Sequence, residues 1–240
     1  MLGGLPIIYS IDPYHEEANP SHVLGSLGIT ADGRKFRYVK VGSSAALVAG
    51  NVIQSPAEVT ANESLTPTAA DIGATEITIT TGAAVTANAY ANGYMVCTNT
   101  PSNGLVYKIK SHPANSGATT CVFTLYEPLI VALTSSSRVD LVFDPYNGVI
   151  QNPATATGCV VGVALKAITA SYYGWVQSAG TCAVLAGGTV GVGKVVVANQ
   201  GTAASAIVGA NTTTEAFPIL GRAVTSGTNG ENCAVFLQMD

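Results

Sequence analysis

Charge is what this sequence lacks most. Asp, Glu, Lys and Arg make up 10% of its 240 residues, against about 25% in an ordinary soluble domain. A free monomer keeps its surface soluble with interspersed charges, whereas the centre of an interface is depleted in them. The deficit therefore points to a chain that covers much of its surface with partners. The alternative is a small-residue β-protein whose Ser, Thr and Asn carry solubility. The net charge of -4 lacks the basic footprint that nucleic-acid binding requires, so no nucleic-acid partner is expected. Continuously apolar runs are missing as well. The charge-free stretch Ala167 to Gly193 is long enough to cross a bilayer, yet Gly, Thr, Ser and Gln interrupt it throughout, and no membrane helix is expected. Met1 to Tyr9 has no basic segment ahead of an apolar one, so it is not expected to act as a secretory signal.

Catalytic side chains are equally scarce. The three His lie at 15, 22 and 112, with no Ser or Cys in a nucleophile motif beside them and no zinc-ligand spacing. The five Cys, at 97, 121, 159, 182 and 233, include no C-x-x-C pair. Four of them sit in apolar strand-like runs and are expected as free, buried small hydrophobes, as in a protein folded in a reducing cytoplasm. Gly187 to Gly193 is glycine-rich, but no helix follows it to hold a phosphate. Glu76, Glu127, Asp140 and Asp144 could in principle supply a glycosidase pair, and scattered surface carboxylates are the competing reading. The sequence therefore predicts no catalytic residue, no cofactor-binding residue, no metal ligand and no cofactor. His112, beside Pro113, is expected to face solvent in a loop.

What the chain does have is short alternating runs punctuated by turn residues, the pattern of an all-β protein. Residues 1–27, with Pro6, Pro13 and Pro20, read as an extended N-terminal arm that lies on a neighbour. A β base domain is expected from 28–62 plus 150–240, barrel-like or sandwich-like. An inserted all-β module is expected over 63–149, where runs such as Glu76 to Thr81 and Thr119 to Tyr126 alternate between Asn92-Gly93, Asn103-Gly104 and similar turns. The basic cluster Arg34, Lys35, Arg37 and Lys40 suits either an acidic partner surface or a charge-guarded edge strand.

The chain is organised around Ile168 to Leu185, ITASYYGWVQSAGTCAVL, which holds the only Trp. Ile29 to Leu47, ITADGRKFRYVKVGSSAAL, echoes it: both open Ile-Thr-Ala and reach an aromatic followed by Val. The echo predicts a base built from two sequence-related halves, with Tyr38 and Trp175 as equivalent packing residues. The stretch has no acidic or basic side chain beside Trp175, which favours packing over a ligand pocket.

Several segments carry a resemblance. GVALKAITASYYGWVQSAG and DGRKFRYVKVGSSAALVAGNVI, together with GYMVCTNTPSNGLVYKIKSHPA and TLYEPLIVALTSSSRVDLVFDPYNGVI, resemble head proteins of tailed bacteriophages related to capsid decoration, or cement, proteins. The resemblance runs from about residue 28 onward and rests on structural motifs. It implies a virion protein on the capsid exterior, made in the bacterial host cytoplasm. Such a protein binds the major capsid protein as a homo-oligomer, a trimer being favoured, and bridges neighbouring capsomers. The alternative is a head-fibre or tail protein that binds a receptor or glycan through residues 63–149, with Tyr90, Tyr94, Tyr107 and Tyr126 as stacking faces.

Overall fold

Alternation sets the strands. In Glu76–Thr80, Ile77 and Ile79 are buried between exposed or half-buried neighbours, and in Asn232–Gln238 the buried set is Cys233, Val235 and Leu237, the period of two that a one-sided sheet imposes. The computed structural model describes residues 6–199, 201–209 and 218–240. Its strands are β1 (Ile7–Tyr9), β2 (Glu16–Glu17), β3 (Leu27–Ile29), β4 (Lys35–Val41), β5 (Val52–Gln54), β6 (Glu76–Thr80), β7 (Tyr94–Cys97), β8 (Val106–Ser111) and β9 (Thr120–Leu125). They continue as β10 (Val139–Val142), β11 (Asn147–Gln151), β12 (Val160–Ala164), β13 (Tyr173–Leu185), β14 (Val195–Ala198), β15 (Ala206–Val208), β16 (Ile219–Ala223) and β17 (Asn232–Gln238). The one helical element among the described residues is a 3-10 turn at Thr60–Asn62. The protein is all-β.

The chain divides into two compact units. One is Glu58–Asp144; the other takes the described chain up to Ala57 and from Pro145 to Asp240. The inserted unit thus begins at 58 and ends at 144, rather than at 63 and 149. The reason at the far end is β11: the turn residues Asn147 and Gly148, which suggest the close of the module, instead start a strand that pairs with β4 and β5.

In the inserted unit the sheet order is β10-β7-β8-β9-β6. Its two edges are joined through one short segment, in which Leu65 bridges Val139 on β10 and Pro67 bridges Ile79 on β6. The interior is filled by Ile77, Ile79, Met95, Ile109, Phe123, Leu129 and Leu133 among others, all nearly inaccessible to solvent.

The other unit is a pair of barrels sharing one strand. The first closes as β4-β11-β5-β12-β13, with β13 returning to β4. The second runs β13-β17-β16-β14-β15, and the parallel bridge Ala186–Ala206 returns β15 to the end of β13. The base is therefore built from two related halves, and their pairings match register for register. Val52 opposite Val163 and Ile53 opposite Gly162 in the first barrel become Val195 opposite Arg222 and Val196 opposite Gly221 in the second, with a register shift at the same place in each. Ile150 opposite Gln54 becomes Ile207 opposite Val197. The Leu47–Ile168 bridge becomes Val190–Gly227. Gly50 and Gly193, both at positive φ (79° and 76°), turn the chain at matching points, a conformation that glycine adopts without steric cost. The interiors correspond as well: Val39, Ile53, Val161, Ala164 and Val176 fill the first barrel where Val184, Val196, Leu220, Ala223 and Val235 fill the second.

This register corrects the sequence echo. Tyr38 pairs directly with Trp175 across β4 and β13, as Ala183 pairs with Ala234 across β13 and β17. The equivalents of Tyr38 and Trp175 are thus Ala183 and Ala234, and the two aromatics are partners rather than counterparts. The echo slipped because β13 serves twice. Its first half closes the first barrel and its second half opens the other, with a bend where pairing shifts between Gln177 and Ala179 and Gly180 takes a φ of 88°.

The N-terminal segment is also corrected. Residues 1–5 lie outside the described residues. From residue 6 onward the segment is paired into its own chain: β1 pairs parallel with β3, β3 forms a hairpin with β4 through the Asp32-Gly33 turn, and β2 pairs with Tyr173 and Gly174 of β13.

Candidate functional site

The feature around which the sequence is organised becomes an aromatic cluster on the outside of the first barrel. Tyr38 and Trp175 meet edge to face at 5.1 Å between ring centroids, and Tyr173 stacks on Tyr38 at 6.1 Å. The N-terminal segment lays Ile8, Ile11 and Leu24 over them and adds His22, 5.2 Å from Tyr38 and 5.5 Å from Trp175. Backbone approaches closely at Gly28, where a Cβ would lie 2.7 Å from both Ile11 and Trp175. The carboxylate and imidazole groups that the stretch itself lacks are therefore supplied in space by the segment. The Tyr38 hydroxyl donates to Glu17, and the Ser21 hydroxyl and backbone N–H donate to the same carboxylate. Burial, aided by the Glu17 carboxylate, pushes the Tyr38 phenol up to about 12. Burial opposes ionisation of Glu17, but the hydrogen bonds from Ser21 and Tyr38 outweigh it and hold the carboxyl below its ordinary range. A cleft of about 230 Å³ remains beside the cluster, lined by Tyr9, Asp12, His15 and Glu17 among others. Tyr38 and Trp175 are only 1% and 4% exposed, so the rings act as the seat of the segment.

Three members of the basic cluster are engaged within the chain. Strand β4 is not an edge, because β3, β11 and β13 all pair with it. Arg34 forms an ion pair with Asp32 at 2.7 Å. Arg37 donates to both carboxylate oxygens of Asp240, at 2.8 and 2.7 Å, and to the Gly25 carbonyl at 3.0 Å. Burial opposes the Asp240 charge, and the hydrogen bonds from Arg37 and Ser178 lower its pKa all the same. Lys40 lies over the Tyr173 ring. A guarded edge therefore does not describe this cluster.

His112, expected in solvent, is buried in the inserted unit. The Tyr90 backbone N–H donates to its Nε2 at 3.0 Å, and its Nδ1 lies 2.8 Å from the Pro113 carbonyl. Nε2 therefore accepts while Nδ1 carries the proton, the neutral tautomer. Burial lowers its pKa. A group with a depressed folded-state pKa stabilises the fold fully above its unfolded value, here about 6.5, and progressively less as pH falls below that. Thermal melts of the whole chain should accordingly show a midpoint that drops between pH 7.5 and 5.5, and His112→Gln should flatten that drop. An unchanged slope in the variant would assign the pH dependence elsewhere.

Of the carboxylates considered for glycoside cleavage, Asp140 accepts the Ser64 backbone N–H at 2.7 Å, Asp144 is buried, and Glu76 and Glu127 are exposed. No cluster of three or more metal-ligating side chains occurs among the described residues. Cys97, Cys121, Cys182 and Cys233 are free and buried while Cys159 is exposed. Burial raises the four buried thiols, Cys182 to about 12, which removes the thiolate that reactivity needs. The four tyrosines considered for glycan stacking divide evenly. Tyr90 and Tyr107 belong to the interior of the inserted unit, while Tyr94 and Tyr126 are 37% and 43% exposed.

What remains accessible includes apolar surface on strands and the turns beside them. On the inserted unit, exposed Val142 pairs with Tyr94, and Val96 with exposed Val106, across β10, β7 and β8. On the second barrel, Val192, Ile219, Val224 and Phe236 are exposed. No helix among the described residues is long and apolar enough to cross a membrane. No protein-family model, curated protein or solved structure matches the chain.

Proposed function

We propose that this chain is a structural virion protein, a decoration or cement protein that binds the outer surface of a phage head and bridges neighbouring capsomers. The observation that carries this reading is the placement of large apolar side chains on open strand faces, Tyr94, Val106 and Val142 on one unit and Ile219 and Phe236 on the other. Charged residues, meanwhile, are few and several are paired within the chain. Regular strands are rigid platforms, and apolar surface on them suits broad contact with a protein lattice better than turnover of a small molecule. The major capsid protein is the partner, a homo-oligomer (a trimer) the acting form and the capsid exterior its location. Many copies, each touching more than one capsomer, would stiffen a shell through multivalent contact. The resemblance of the segments around Tyr38, Trp175 and Tyr126 to phage head proteins supports the same reading.

Co-sedimentation tests it. Purified protein mixed with emptied capsids of the same phage, lacking their own copy, should pellet with them at a fixed ratio and raise the temperature at which they rupture. Protein that stays in the supernatant at saturating capsid would overturn the proposal.

A further inference from the structure

The duplication shows what one surface of this protein is built to receive. On the outside of the first barrel, Phe36, Gln177, Val163 and Val52 form a row across β4, β13, β12 and β5, each paired with the next. All four are 0% exposed. Most of this row is covered by the second barrel. Val52 and Val163 share an apolar cluster with Cys182 and Val184. The Val52 N–H donates to the Ala204 carbonyl at 2.8 Å, and the Gly50 carbonyl accepts the Leu185 N–H at 2.8 Å. Gln177 donates to the carbonyls of Ala179 and Thr181.

The matching row of the second barrel is Thr181, Phe236, Arg222 and Val195, joined by the same pairings. Here nothing in the described chain covers it. Phe236 is 47% exposed and the adjoining Ile219 63%, while Thr181 and Arg222 are exposed and Val195 half-buried. Among the described residues, the carbonyl of Gly193, counterpart of Gly50, accepts from the exposed Arg222 side chain at 3.4 Å rather than from a backbone N–H. A cleft of about 550 Å³ opens beside Phe236, with Asp32, Arg34, Lys35 and Asp240 on its walls. Exposed Phe236 and Ile219 flanked by polar and charged side chains, Arg222 and the cleft walls among them, match the mix of an apolar anchor and a polar surround found in protein interfaces.

We infer that this open row is a self-association surface, and that its occupant is a second copy of this chain. The same strands in the same register, one barrel earlier, already seat a barrel of this fold. In that internal contact the two barrels use different surfaces, so the contact repeated between copies is head to tail. Contacts of that kind generate closed rings when the rotation closes. This surface concerns contact between copies. It supplies the oligomer that the decoration reading requires, yet it does not depend on shell binding.

Light scattering coupled to size exclusion tests it on the full chain at high micromolar concentration. The wild-type chain is expected at a whole multiple of its 24.3 kDa monomer mass. The double variant Phe236→Asp, Ile219→Asp is expected at the monomer mass with an unchanged far-UV spectrum, since both side chains are exposed and β-sheet pairing does not depend on them. Val122→Asp, on an exposed position of β9 in the other unit, should leave the multiple intact. A monomeric wild type, a double variant that keeps the wild-type mass, or a Val122→Asp variant that dissociates equally would each overturn the assignment. Shell binding is read separately by co-sedimentation, so a monomer that still pellets with capsids defeats this inference alone.

Discussion

Replacing Trp175 by Ala should lower the unfolding free energy by about 3–5 kcal/mol, the usual cost of deleting a large buried aromatic. That is a substantial fraction of the roughly 5–15 kcal/mol that holds a typical domain folded. Trp175 is 4% exposed and touches elements far apart in sequence: Tyr38 on β4, His22 from the N-terminal segment and the backbone at Gly28. Its removal opens a cavity that these neighbours cannot close together, because Tyr38 is held by Glu17 and Ser21. The segment should then also become cleavable by protease before the barrels unfold. Trp175→Phe, which keeps a ring in place, should restore most of both properties. Urea titration followed by far-UV circular dichroism measures the first effect, since the variant has lost the only Trp. A loss under about 1 kcal/mol, the ordinary scale for surface changes or less, together with unaltered proteolysis, would show that the cluster is not what seats the segment.

The second large effect lies at the duplicated glycines of β12 and β16. A Cβ on Gly221 would sit 1.9 Å from the Phe236 carbonyl oxygen, and one on Gly162 would sit 2.8 Å from that of Gln177. Both obstacles are backbone of the neighbouring strand, which cannot turn aside as a side chain can. Gly221→Val and Gly162→Val should each cost more than about 4 kcal/mol, the range reserved for clashes and broken networks, and should give little soluble protein. With the smaller Ala, position 221 should remain the worse of the two because its clash is closer. Gly33→Ala is a useful contrast: its φ of 81° strains a side chain, but nothing lies within 4 Å, so a cost of about 1–2 kcal/mol is expected. Soluble yield and melting midpoint of the three Ala variants rank them directly. Equal tolerance at 162 and 221 would contradict the close strand approach at both.

Much of the fold could be read from the residues because alternation is strong where a strand has one buried face. Glu76 to Thr81, Thr119 to Tyr126 and Arg138 to Phe143 became β6, β9 and β10 on that signal alone. The duplication was visible as an echo, but its register was not. Val, Ala and Gly recur so often between 160 and 240 that several alignments look alike, and only strand pairing separates them. The buried state of His112 was hidden for another reason. His112-Pro113 looks like a turn, and the Tyr90 N–H that binds its ring lies 22 positions away. Likewise β1 and β2 are too short to show a period, and their partners are distant in sequence. The open row on the second barrel could not be found from sequence at all, since it exists only by comparison with its covered counterpart.

One consequence of the shared strand concerns the order of events as the chain leaves the ribosome. The residues of the inserted unit, 58–144, are complete and mutually satisfied before β11 has been made. The first barrel, though it starts earlier, cannot close until residues 173–179 arrive to pair with β4. The second barrel then begins on that same strand. Synthesis from the N-terminus therefore presents an inserted module that can fold at once, a first barrel that stays open until β13 arrives, and a last barrel templated by the strand that shuts the first.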